Sequence, residues 1–182
     1  MKRSLLVVLL FAAPILAQSP ATDQAAQARA AAGCGPSETH FEVTTDKNQH
    51  PLPQPETGKA LVYIFRVEKR TPDVHYFGKE TMLAGIDGTW IGANRDDNSF
   101  LFLPLDPGSH HLCVNFDSKL KKFSRIGTAT SFSAEAGKVY YFRAEIDFRM
   151  DHEFAAKLES IDPAEGQLLV ASSSLSISHP KK

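Results

Sequence analysis

The chain has 182 residues, 20 Lys and Arg against 21 Asp and Glu, and a formal charge of −1 at pH 7. Such a balance offers no strong basic field for nucleic acid. The length suffices for one sizeable hydrophobic core.

The first residues, MKRSLLVVLLFAAPILAQ, place Lys2 and Arg3 ahead of an apolar run from Leu5 to Leu16, with small residues around Ala17. This is the pattern of a secretory signal peptide over residues 1–17, cleaved after Ala17. The run is shorter than the roughly 20 residues a membrane-spanning helix needs, so no transmembrane span is expected after cleavage. Cleavage takes two of the basic residues and none of the acidic ones, and the mature chain is mildly acidic. The motif AAAGC at residues 30–34 has the small residues that precede a lipidated cysteine, but the polar stretch QSPATDQAAQAR separates it from the apolar run. An exported chain, periplasmic or extracellular, is the expectation.

Residues 18–58 read as a flexible or weakly helical leader followed by a strap. The leader is rich in Ala and Gln without an apolar stripe. NQHPLPQPETG (48–58) carries three prolines that favour extended backbone. The domain proper is expected over 59–172. ALVYIFRVE (60–68) is an apolar, β-branched run suited to a central strand covered on both faces. Further strands are predicted near 82–87, 89–93, 99–104, 109–116 and 126–133, separated by the turn sequences DG, RDDN, DPG and EAG. In KVYYFRAEIDFR, Tyr140, Phe142, Ala144, Ile146 and Phe148 alternate with Tyr141, Arg143, Glu145, Asp147 and Arg149, predicting one core face and one solvent face. Phe154, Ala156 and Leu158 continue the alternation in a hairpin partner. DPAEGQLLVASSSL predicts one short helix, with Asp162 as N-cap, Pro163 at the first position and Leu168, Leu169 and Leu175 available for burial, although Gly166 weakens it. Residues 173–182 read as a disordered, solvated tail.

Short strands at this spacing without alternating long helices predict a mainly β fold, an antiparallel β-sandwich with one short C-terminal helix. The ordered segments KALVYIFR (59–66), AGIDGTWIG (84–92), FLPLDPGSHHL (102–112), GKVYYF (137–142) and PAEGQLL (163–169) resemble the bacterial secreted family called domain of unknown function 2846. IDGTWIG and LPLDPGSHHL also resemble the strand, DG turn, strand, PG turn style of PEGA and transthyretin-like modules, covering residues 84–116. The resemblance implies an envelope-associated β domain and carries no catalytic residues onto this chain.

Two cysteines occur, Cys34 and Cys113. In an oxidising compartment they predict a disulfide that pins the leader to the 109–116 strand. Two free thiols or an intermolecular bridge are the alternatives. The same strand carries His110 and His111, and alternation gives His111 the face of Cys113. Two ligands fall short of a metal site, so no metal and no cofactor are expected. A cysteine nucleophile would need a histidine in direct contact, and strand spacing opposes it.

NRDDNS (94–99), with Asp87 and Asp106 near it in sequence, hints at Ca²⁺ but lacks the ligand spacing of an EF-hand, and a plain turn explains it better. Glu145 and Asp147 are flanked by arginines, as on a solvent face. SKLKKFSR (118–125) sets Lys119, Lys121 and Lys122 around apolar residues, either a charged hairpin loop or a contact for an anionic surface. Tyr76, Phe77 and Trp90 are candidate contact residues that read equally well as core. The function these features favour is a non-catalytic envelope module binding another protein or a surface polymer. A small periplasmic hydrolase or metal-dependent enzyme using the His110/His111 region is the alternative.

Overall fold

The computed structural model describes residues 21–67, 80–96, 98–117, 126–148 and 154–181. In chain order the elements are α1 (Ala21–Ala31), β1 (Phe41–Asp46), β2 (Ala60–Arg66), β3 (Thr81–Ile86), β4 (Thr89–Asn94), β5 (Ser99–Leu105), β6 (Gly108–Asp117), β7 (Ile126–Ala134), β8 (Val139–Phe148), β9 (Phe154–Ile161), α2 (Pro163–Ser172) and β10 (Ser174–Pro180). The strands form a six-stranded sheet, β1-β10-β5-β2-β8-β9, packed on a four-stranded sheet, β4-β3-β6-β7. This is the mainly β sandwich that the strand spacing predicts. The smaller sheet is wholly antiparallel, whereas in the larger one β2 runs parallel to β8 and β10 parallel to β5. No helix among the described residues is long and apolar enough to cross a membrane.

The main core lies between the sheets. Val62 and Ile64 of β2 and Phe142 and Ala144 of β8 meet Met82, Ala84 and Ile86 of β3 and Leu112, Val114 and Phe116 of β6. Strand β2 is buried along its whole length because its other face is covered too: Leu61, Tyr63 and Phe65 pack with Phe100, Tyr141 and Val170 beneath α2. Tyr141 is therefore buried on the face that alternation assigns to water. A strand read alone does not reveal the helix that will lie over it.

Helix α2 starts as its sequence dictates, with the Asp162 carboxylate accepting from the backbone N–H groups of Ala164 and Glu165 at 2.9 and 3.1 Å. Gly166 belongs inside it because a Cβ there would lie 2.3 Å from the Tyr141 ring. Val170 is buried and Leu169 packs beside it, but Leu168 is turned to solvent. The proline strap is fastened to this layer by Tyr63, whose hydroxyl donates to the Pro51 carbonyl at 3.0 Å, and by His50 Nδ1, 2.8 Å from the Val170 carbonyl.

Both ends of the chain differ from the expectation. The supposed leader contains β1, and the supposed tail is β10, which pairs with β1 along its full length and joins it to β5. In β10 serines turn towards the four-stranded sheet, and of its two large apolar residues only Leu175 packs, against the layer under α2. Ser176 is buried, Ser178 Oγ accepts from the Ala93 N–H at 3.0 Å, and Ile177 is exposed. A strand with its small polar residues inward has the hydropathy of a tail, which is why it escapes detection by pattern.

Candidate functional site

The disulfide links Cys34 to Cys113, with Cα atoms 5.1 Å apart across 79 positions of sequence. It closes a second, smaller core on the outer face of the four-stranded sheet, where Phe41 and Val43 of β1 pack with Leu83, Trp90, Ala93 and Cys113. Helix α1 ends in a left-handed Gly33, φ +84°, with the Gly33 N–H bonded to Ala30 O and the Cys34 N–H to Arg29 O. A Cβ on Gly33 would sit 2.2 Å from the His111 carbonyl oxygen, so only glycine lets the segment lie this close to β6. Trp90 is buried beneath it and donates from Nε1 to the Pro36 carbonyl at 2.7 Å. Trp90 is thus a core residue and not a surface contact, since the leader covers it.

His110 and His111 separate in role. His110 Nδ1 lies 2.6 Å from Asp87 Oδ2 and its Nε2 lies 2.8 Å from the Asp106 carbonyl oxygen. A carboxylate and a carbonyl only accept, so both ring nitrogens must donate, and this geometry belongs to the imidazolium. Burial alone would push the His110 pKa down, but the bonds to Asp87 and Asp106 and their charges outweigh it, and the net shift is upward. Desolvation likewise works against the Asp87 carboxylate. The His111 N–H at 2.8 Å and the neighbouring imidazoles prevail, holding Asp87 below the usual carboxylate range. Asp87 itself sits at φ +50° in the β3–β4 turn, where aspartate tolerates a left-handed backbone. Phe132 packs against the His110 ring with centroids 5.8 Å apart, and Lys59 pairs with Asp106 at 2.7 Å. The cluster thus ties the β3–β4 and β5–β6 turns to the start of β6.

The His111 ring is half exposed, 4.0 Å from Asp87 Oδ1. It shares its face with Cys113, as alternation predicts, but the disulfide consumes that sulfur as a nucleophile or ligand. Among the described residues no three His, Cys, Asp or Glu side chains converge as a metal ion would require. Asp87 and Asp106 do not join the 94–99 turn, which sits at the opposite end of the sandwich. There Asp96 accepts from Thr45 Oγ1 at 2.5 Å, and Asn94 donates to the Ile64 and Ser99 carbonyls. On the outer face of β8, Arg143 pairs with Glu159 and Glu165, and Lys157 with Glu159 and Glu145. Hydrogen bonding to Glu159 raises the Arg143 pKa, and bonds from Lys157 and Arg143 lower that of Glu159. Paired in this way, these carboxylates form a charge lattice and no acid–base dyad.

At the end of the sandwich opposite His110, the side chains of Arg66 and Glu80 are 3% and 2% exposed and face each other at 3.8 Å. Arg66 also donates to the carbonyls of Glu80 and Arg95, and its guanidinium lies 5.9 Å from the Phe116 ring centroid. The register brings the strand ends here together: Thr81 opposes Asp117, Phe116 opposes Ile126, Arg66 lies beside Ala144, and Phe148 opposes Phe154. The connections 68–79, 118–125 and 149–153 therefore all leave from one end. Tyr76, Phe77, Lys119, Lys121 and Lys122 fall within them, outside the described residues; residues 1–17, expected from the sequence to be a signal peptide, also lie outside the described residues.

Fold and site together define a disulfide-stapled β-sandwich with each outer face covered in part, by α2 and the strap on one sheet and by the segment around Cys34 on the other. No family model matches this chain, and no curated protein does.

Proposed function

We propose that this protein is an exported, non-catalytic module of the cell envelope. It binds another envelope protein or a surface polymer through the end from which 68–79 and 118–125 emerge. The observation that carries the reading is the strand register, which gathers the flanks of both segments at one end of a rigid sandwich. Long connections held on a rigid scaffold are the usual carriers of recognition. Their sequences combine Tyr76 and Phe77 with Lys119, Lys121 and Lys122, a composition suited to an anionic or mixed surface. The buried disulfide agrees with an oxidising compartment, and the resemblance to the secreted family of unknown function points the same way.

Crosslinking in an intact envelope fraction tests this. The wild-type chain is expected to capture a partner that Lys119→Glu/Lys121→Glu/Lys122→Glu and Tyr76→Ala/Phe77→Ala lose while retaining their folding midpoint. Capture unchanged by both variants overturns it.

A hydrolase or metal-dependent enzyme built on His110 and His111 is less well supported, because His110 has both nitrogens engaged and Cys113 is bonded. A stoichiometric metal in the purified protein that His111→Ala removes would favour that alternative.

A further inference from the structure

β1 is the outermost strand of the six-stranded sheet, with β10 on one side and no strand of the described residues on the other. At its start the Lys181 N–H donates to the His40 carbonyl at 2.8 Å. Antiparallel alternation then directs the backbone groups of Glu42, Thr44 and Asp46 towards β10, and the N–H and C=O groups of Phe41, Val43 and Thr45 away from it. Among the described residues no backbone group meets that outward set. The strand is nonetheless firmly seated, since the Phe41 and Val43 side chains pack with Leu83 and Trp90.

The remaining sheet edges are closed or guarded. β4 meets β10, where Ser178 Oγ accepts from the Ala93 N–H, and β7 lies beside β9, which carries the ion-paired Lys157. Sheet edges are ordinarily blunted by proline, lysine or a bulge, and one left bare is a template for a further strand. FEVTTD (41–46) has none of these guards, and it pairs with β10 without a shift of register.

A strand laid along β1 would turn alternate side chains to the face of Phe41 and Val43. Space exists there, because a cleft of about 270 Å³ opens between residues 37–40 and Leu83, Asn115 and Asp117. Its other side chains would share the solvent face with the exposed Glu42 and Thr44. Opposite charges attract across neighbouring strands, so Glu42 favours lysine or arginine beside it. Glu38 and Asp117 at the cleft add to that preference, whereas Arg29 and His40 oppose it, the latter facing Asp117 at 3.6 Å.

We infer that β1 takes up an extended, basic segment of a partner protein as an added strand, with lysine or arginine beside Glu42. The inference rests on the reading of this chain as a binding module and supplies the strand that does the binding.

The test is amide hydrogen exchange, read by NMR on the disulfide-bonded protein, with a capped hexapeptide of alternating lysine and valine as the probe. In the free protein the amides of Phe41, Val43 and Thr45 should exchange faster than those of Glu42 and Thr44. Saturating peptide should slow the first set about tenfold or more. The glutamate–valine counterpart should bind more weakly, and Glu42→Lys/Thr44→Lys should reverse that order. Of two N-methylated lysine–valine peptides, methylated on the valines or on the lysines, one should bind and the other fail, because only one set of N–H groups faces β1. Unchanged exchange at the three amides overturns the inference, as does equal binding of both N-methylated forms or of the acidic peptide. Protection that appears without peptide as protein concentration rises would make a second copy the occupant and also overturn it. Absent peptide protection with intact envelope crosslinking sinks this inference alone, and absent crosslinking sinks the proposed function.

Discussion

The two ends of the sandwich are held by opposite means. At one end the strands are joined by short turns at 87–88, 106–107 and 135–138, and the polar groups of the first two are gathered on His110 at the protein surface. At the other the connections 68–79 and 118–125 are long, and the buried pair of Arg66 and Glu80 lies among the strand ends that flank them. Tight turns fix their own geometry and leave little to vary. Long connections need an anchor underneath before they can present anything. The proposed binding role would fit this division of the charged groups, with one end held still and the other free to present a surface.

The comparison is broken most severely at the buried end. Arg66→Ala removes the guanidinium that faces the buried Glu80 and is expected to cost about 3–5 kcal/mol by chemical denaturation. The double replacement Arg66→Met/Glu80→Leu should recover much of that loss, and a double variant as unstable as the single one would show that the pair does more than neutralise itself. Next in size is the staple over the His110 side of the sheet. Cys34→Ser/Cys113→Ser should cost about 2–4 kcal/mol and release α1 while leaving the main core intact, readable as hydrogen-exchange protection lost in β1 and retained in β2 and β8.

His110→Gln comes third. It replaces a charge-assisted bond whose carboxylate side is half exposed, so about 1–2 kcal/mol is the expected loss. Its pH dependence has a definite sign. With the folded pKa raised, the His110 contribution is complete below about pH 6.5, the ordinary histidine value, and is lost as pH rises through the folded value. The lowered Asp87 pKa adds stability above about pH 4, lost as pH falls through its own folded value. The wild type should therefore lose stability from about pH 6.5 upward, and His110→Gln should flatten that slope. An unchanged slope would remove the imidazolium from the account. The smallest effect belongs to Lys119→Glu/Lys121→Glu/Lys122→Glu, expected to alter stability by no more than about 0.5 kcal/mol, which keeps binding and folding separable in the crosslinking test.

Much of this architecture is legible in the sequence, for identifiable reasons. Alternation in β6 and β8 and the apolar run of β2 find the core, because one face or both are closed by large side chains. The cysteine count finds the staple. What escapes is set by partners remote in sequence. Tyr141 looks solvent-facing until α2 lies over it, with Gly166 giving the room. Trp90 reads equally as contact or core until Gly33 to Pro36 fold back across it. β10 hides because its serines turn inward. Nor does the sequence say that Asp87, rather than Cys113, is the partner that defines His110. Their union depends on two turns meeting in space, which the β3–β6 pairing brings about.

The insertion of β10 between β1 and β5 has a consequence for the order in which the molecule is made. β1, the earliest of the described strands in the chain, has as its hydrogen-bonded neighbour in the sheet β10, the latest of them. Cys34, for its part, must wait for Cys113. The segment from α1 to β1 therefore stays unpaired until Cys113 and β10 have both been made. A product stopped before residue 174 would leave β1 without its sheet neighbour and open to proteolysis.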